Sequence, residues 1–118
     1  MGFFQAREET KELHSKIELR TRYYRTSFKK VLDVLEKLQD EMDFEIQQVN
    51  EQFGEIQLLS NGYDMVLTIK EFTPSETGID IMCNYFSTFG FNRPKKRIIE
   101  LYKALDSKLP YKGQSLHP

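Results

Sequence analysis

Apolar and polar residues alternate from position 17 to 24: Ile17, Leu19, Thr21 and Tyr23 share one side of an extended chain, and Glu18, Arg20, Arg22 and Tyr24 share the other. A period of two predicts a strand with one buried face. The period then lengthens, with Phe28, Val31, Leu32, Leu35 and Leu38 stepping by three and four while Lys29, Lys30, Asp33, Glu36, Lys37 and Asp40 lie opposite. Thr26 and Ser27 stand where a side-chain oxygen can satisfy the first N–H groups, so an amphipathic helix laid on a sheet is predicted.

Residues 44 to 49 and 55 to 59 read as a hairpin whose loop ends in Gly54, a residue free to take positive φ. Asn61-Gly62 precedes a strand over 63 to 72, where Tyr63, Met65, Leu67 and Ile69 alternate with Asp64, Val66, Thr68 and Lys70. Beyond a polar turn at 73 to 78, Ile79, Ile81, Cys83 and Tyr85 alternate with Asp80, Met82, Asn84 and Phe86 as a further strand. Pro94 suits the first turn of a second helix striped by Ile98, Leu101, Tyr102, Leu105 and Leu109, and Pro110 ends it. Residues 1 to 16 read as a helical lead-in, because 5 to 15 favour helix yet offer only Leu13 as an apolar anchor. Residues 110 to 118 read as a loose tail.

These elements predict a single α+β domain over 1 to 118 with its core in 17 to 109. It is a two-layer sandwich of a mainly antiparallel five-stranded sheet with two helices on one face, plus a short N-terminal helix. The other sheet face, carrying Arg20, Arg22, Gln47, Gln57, Val66, Lys70, Met82 and Phe86, is left open. A slip of one residue in any strand would exchange its two faces.

Composition supports an independently folding chain: 39% of the 118 residues are hydrophobic, with nine Phe and six Tyr. A formal net charge of −1 provides no global pull toward nucleic acid or an anionic membrane. No apolar run approaches the about 20 residues that span a bilayer, and the first residues lack a signal-peptide pattern, so a cytoplasmic location is expected. A single cysteine, Cys83, excludes an internal disulfide.

Catalytic chemistry finds little footing. The two histidines, His14 and His117, stand near opposite ends, and Cys83 falls on an inward strand face where a packed thiol is inert. No metal-ligand spacing or phosphate-cradling glycine loop is present, so neither a metal nor a cofactor is predicted. Asp64 and Asp80, on outward faces of neighbouring strands, read as surface carboxylates.

Two clusters remain. Arg20, Arg22 and Arg25 with Arg93 and Lys96 form a basic patch near several aromatic rings, the ingredients of a phosphate and base grip, although the balanced net charge weighs against nucleic acid. The loop Phe86-Ser87-Thr88-Phe89-Gly90-Phe91-Asn92 carries three phenylalanines. With Val66, Met82 and Leu59 of the open sheet face, its Phe86, Phe89 and Phe91 compose an apolar candidate interface for a protein partner or a second copy.

The element order β-α-β4-α over about residues 17 to 109 resembles the TATA-box-binding-protein-like or helix-grip arrangement. More locally, Leu19-Arg20-Thr21-Arg22-Tyr23-Tyr24, the helix after it and Leu105-Asp106-Ser107-Lys108-Leu109-Pro110 resemble an uncharacterised family of small cytosolic proteins from Bacillus-type bacteria. That likeness implies a bacterial cytosolic protein and transfers no catalytic motif. The expected function is a non-catalytic interaction or self-association module using the open sheet face and the aromatic loop, the alternatives being a nucleic-acid-binding module and an enzyme of unfamiliar type.

Overall fold

Every strand and both helices of the computed structural model, which describes residues 6 to 86 and 93 to 114, belong to one antiparallel sheet and its cover. The chain runs through β1 (Ala6–Glu9), a 3-10 turn (Ile17–Leu19), β2 (Arg22–Tyr24), α1 (Phe28–Met42), β3 (Glu45–Asn50) and β4 (Glu55–Ser60). It continues through β5 (Tyr63–Thr73), β6 (Glu76–Tyr85), α2 (Arg93–Lys108) and β7 (Tyr111–Gln114). The sheet order is β3-β4-β5-β6-β2-β7, with β1 also paired to β6. One edge of β6 thus takes two short strands in tandem, β2 along Thr77 to Ile79 and β1 along Met82 to Tyr85. Residues 10 to 21 leave the sheet between them and return.

Alternation fixes which side is covered. Ile56 and Leu58, then Met65, Leu67 and Ile69, then Ile79, Ile81, Cys83 and Tyr85 join the buried residues of both helices in one cluster. Phe28, Val31, Leu35 and Leu38 of α1 and Ile98, Leu101, Tyr102 and Leu105 of α2 supply the other half. α1 starts where Ser27 Oγ accepts from the Lys30 amide and the Glu71 carboxylate accepts from the Phe28 amide at 2.9 Å. It stops at Asp43, whose φ of 59° is left-handed and whose N–H bonds the Gln39 carbonyl. The α+β class and both predicted helices are therefore present, with seven strands in place of five.

Three expectations are corrected. Residues 6 to 9 pair with β6 as strand instead of forming a lead-in helix, because ladder bonds to an open edge outweigh a weak helical propensity. Residues 111 to 114, expected in a loose tail, are a strand on β2, held by a bond from the Arg25 amide to the Pro110 carbonyl at 2.8 Å and by an ion pair between Lys112 and Glu76.

The third correction is a register. Of residues 17 to 24 only Arg22–Tyr24 is strand; Arg22 pairs with the inward Ile79 and Tyr24 with Thr77, so Arg22 and Tyr24 face the helices and Tyr23 faces away. The 3-10 turn breaks the alternation, leaving Ile17 60% exposed and Leu19 buried. Tyr23 is nonetheless 3% exposed: it lies over Gly78, which offers no side chain to displace it, packs on Phe72 at 5.8 Å and donates its hydroxyl to Glu12 at 2.6 Å.

Candidate interaction surface

The open sheet face is laid out by cross-strand partners. One row reads Glu45, Leu59, Asp64, Asn84 and Arg7; the next reads Gln48, Gln57, Val66, Met82 and Glu9. Val66 and Met82 are therefore direct neighbours, as the sequence predicts, and both are half-buried. Gln57 and Lys70 share this face, while Gln47 sits in a bulge of β3. Phe86, 45% exposed, continues the β6 ladder through its amide bond to the Gly62 carbonyl at 2.9 Å. Between it and Met82 stands Asn84, which donates to Asp64 at 3.0 Å, so the apolar residues are separated by a polar pair. Phe89 and Phe91 lie outside the described residues.

Leu59, the third apolar residue expected on this face, is 40% exposed and sits at its rim, where the open face meets the end of α1. Here a cleft of about 360 Å³ is walled by Leu59, Asp40, Asp43, Glu45, Ser60 and Asn61. The last turn of α1 carries no basic residue. Asp40, Glu41 and Asp43 instead cluster at its carbonyl end, against the helix dipole, an arrangement that costs roughly 0.3–1 kcal/mol per charge. None of Asp40, Asp43 and Glu45 has an ion-pair partner among the described residues. No group of three or more His, Cys, Asp or Glu among the described residues converges to hold a metal ion.

The opposite sign gathers nearby. The first turn of α2 has no acidic residue and carries Arg93, Lys95, Lys96 and Arg97, again against the dipole. Arg93, Lys96 and Arg97 line a second cleft, of about 240 Å³, with Tyr85 and Glu100. Arg97 is held in place: its Nε donates to the Tyr85 hydroxyl at 2.9 Å, its guanidinium lies 5.0 Å from the centre of the Tyr63 ring, and Tyr63 stacks on Tyr85 at 5.1 Å. The Tyr85 bond, with the nearby rings, pushes the Arg97 pKa further up, so it is a permanent cation. Both clefts occupy the same end of the sheet, since Ser60 pairs with Tyr63 and Tyr63 with Tyr85.

The remaining candidates are dispersed. Arg22 is tied to Asp106 in the last turn of α2, whereas Arg93 is in the first turn, about 20 Å away along the helix. Arg20 donates to the His14 carbonyl and Arg25 is exposed, so the five basic residues do not form one track. Cys83 is buried and desolvation pushes its thiol up to about 12, which suits a packed and unreactive group. His14 faces Glu8 at 3.4 Å.

Asp64 and Asp80 are not a pair, for they oppose Asn84 and Thr68, and Asn84 lies four residues beyond Asp80 on β6. Asp80 accepts from Thr10 and Thr21 at 2.7 Å each, in the gap between β1 and β2. Burial raises its pKa, chiefly by desolvation and against those two hydroxyl bonds. A carboxyl raised in the folded state favours folding while protonated, and that contribution is lost as pH climbs through the folded pKa. Asp80→Asn keeps an acceptor for both threonines, so its denaturation midpoint should fall less than that of the parent as pH rises from the acid range to neutrality. An equal decline in both proteins would remove Asp80 as the cause.

By sequence alone the charges of both helices pass for ordinary solvated faces. Their signal is nonetheless visible: Asp40-Glu41 and Asp43 stand where a helix end favours cations, and Arg93, Lys95, Lys96 and Arg97 where a start favours anions. What the sequence does not display is the pairing that brings β4, β5 and β6 to one rim beside both helix ends. No helix among the described residues is long and apolar enough to cross a membrane. Comparison with protein-family models, with curated proteins and with solved structures finds no match to this chain.

Proposed function

We propose that this chain is a non-catalytic protein-interaction module whose open sheet face docks a basic partner at the Leu59 rim. The observation that carries the reading is the acidic end of α1, where Asp40 and Asp43, joined by Glu45 of β3, surround an exposed apolar side chain instead of being neutralised by the helix's own residues. An apolar centre with a charged rim is the anatomy of a specific, salt-sensitive contact. Val66 and Met82, one row further across the sheet, extend the apolar strip. The order β2-α1-β3-β4-β5-β6-α2 supports the TATA-box-binding-protein-like resemblance as a proposal about fold, and a cytoplasmic setting is likewise a proposal.

The test is an amide-resonance titration with a blocked peptide alternating arginine and leucine. Shifts confined to Asp43, Leu59, Ser60, Asp64 and their neighbours, abolished in about 1 M salt where the screening length is about 3 Å, are expected. A peptide with glutamate in place of arginine should cause none. Shifts elsewhere, or equal binding of both peptides, would refute the docking site.

A further inference from the structure

The molecule displays two clefts of opposite sign at one end of its sheet. The acidic cleft holds Asp40, Asp43 and Glu45 about Leu59; the basic one holds Arg93 and Lys96 beside Arg97, which Tyr85 immobilises and Glu100 pairs at 3.2 Å. Ser60 of the first cleft and Tyr85 of the second are both cross-strand neighbours of Tyr63, which places the clefts about two strand spacings, roughly 10 Å, apart. No bond or salt bridge joins the two sets within the described part of the chain.

Asp40 and Asp43 at the end of α1, and Arg93 and Lys96 at the start of α2, are electrostatically unfavourable for the isolated fold, because each puts charge of the wrong sign at a helix end with no ion-pair partner among the described residues. Both penalties are relieved if an opposite charge arrives from outside. A two-fold axis supplies that for both clefts at once: in an isologous pair, the patch that residue set i offers meets set j of the partner, and j meets i. Neighbouring patches of opposite sign on a single rim are complementary to their own image.

Resting on the docking site proposed above, we infer that its basic partner is a second copy of this chain. The two copies form a closed, salt-sensitive dimer in which Arg93 and Lys96 of each copy meet the Asp40, Asp43 and Glu45 cleft of the other, with Leu59 of both near the axis. The sign change across the rim disfavours an open chain of copies, since one contact uses both clefts of each molecule.

Sedimentation velocity across protein and salt concentrations tests this with two double variants. Asp40→Lys with Glu45→Lys leaves both clefts basic, and Arg93→Glu with Lys96→Glu leaves both acidic. All four positions are solvent-exposed, so the variants are expected to fold, as melting curves will show. The parent should form a dimer that weakens steeply with salt, and each variant alone should dimerise roughly a hundredfold more weakly. Mixed in equal amounts, the two variants should recover a one-to-one dimer.

A parent dimer unaffected by either reversal, or variants that fail to recover on mixing, would overturn the interface. A parent that stays monomeric at every concentration would overturn self-association while leaving the arginine-leucine peptide titration to judge the docking site independently.

Discussion

Gly54→Ala should be among the most damaging single substitutions, lowering stability by roughly 3 kcal/mol or more in urea denaturation. Gly54 closes the loop before β4 with a φ of 70° and lies directly on β5, where the Ile69 amide donates to its carbonyl at 2.7 Å. A Cβ at this position would fall 2.2 Å from the Ile69 carbonyl oxygen. That atom belongs to the central backbone of the sheet and cannot turn aside as a flexible side chain would, so β4 and β5 must part or the loop must rebuild. Gly62 isolates the conformational component. Its φ is 87° but no atom lies within 4 Å of the place a Cβ would occupy, so Gly62→Ala should cost only the left-handed penalty of about 1–2 kcal/mol. Equal losses at the two positions would show that backbone conformation, and not the contact with Ile69, governs Gly54.

Asp106→Ala should cost about 2–3 kcal/mol, because it strands a largely buried cation. Arg22 projects from β2 beneath α2, its side chain 12% exposed, with the guanidinium carbon 4.6 Å from the centre of the Tyr102 ring and 5.7 Å from that of Tyr111. Asp106 is its ion-pair partner and also accepts the Tyr24 hydroxyl at 2.7 Å. Removing the carboxylate leaves both groups without their acceptor in a site already short of one, since Arg22 Nε has no hydrogen-bond partner among the described residues. Tyr24→Phe removes a single neutral donor and should cost about 1 kcal/mol. Replacing both ends, Arg22→Met with Asp106→Leu, should restore much of the loss. A double variant as unstable as Asp106→Ala alone would mean that packing, and not the uncompensated charge, dominates.

The same residues mark how far a sequence pattern reaches. α1 and the strand stretches 55–59, 63–69 and 79–85 are legible because each keeps one period and buries the face that period marks. Alternation places Arg22, Tyr23 and Tyr24 on the wrong faces because their register is set by Ile79 and Gly78, more than fifty residues later, and not by their own pattern. A tyrosine is an ambiguous witness in any case: Tyr23 and Tyr24 point oppositely, yet both are buried. β1 and β7 are invisible in the pattern because four polar-rich residues carry no strand signal; each exists only through the edge it completes. The acidic rim is readable as sequence yet passes for ordinary surface, because its meaning depends on Leu59 arriving beside it.

The tandem pairing along β6 also dictates an order of events during synthesis. The meander from β3 to β6 is built of neighbours in the chain and can zip as it emerges. β1 and β2 cannot join it until β6 exists: Thr10 must wait for Ile81, 71 residues downstream, and β2 gains its second neighbour only with the last strand. β1 and β2 are thus made before β6 yet placed after it, and in that interval one edge of β6 stands vacant, a template for a strand from any nascent neighbour on the same message.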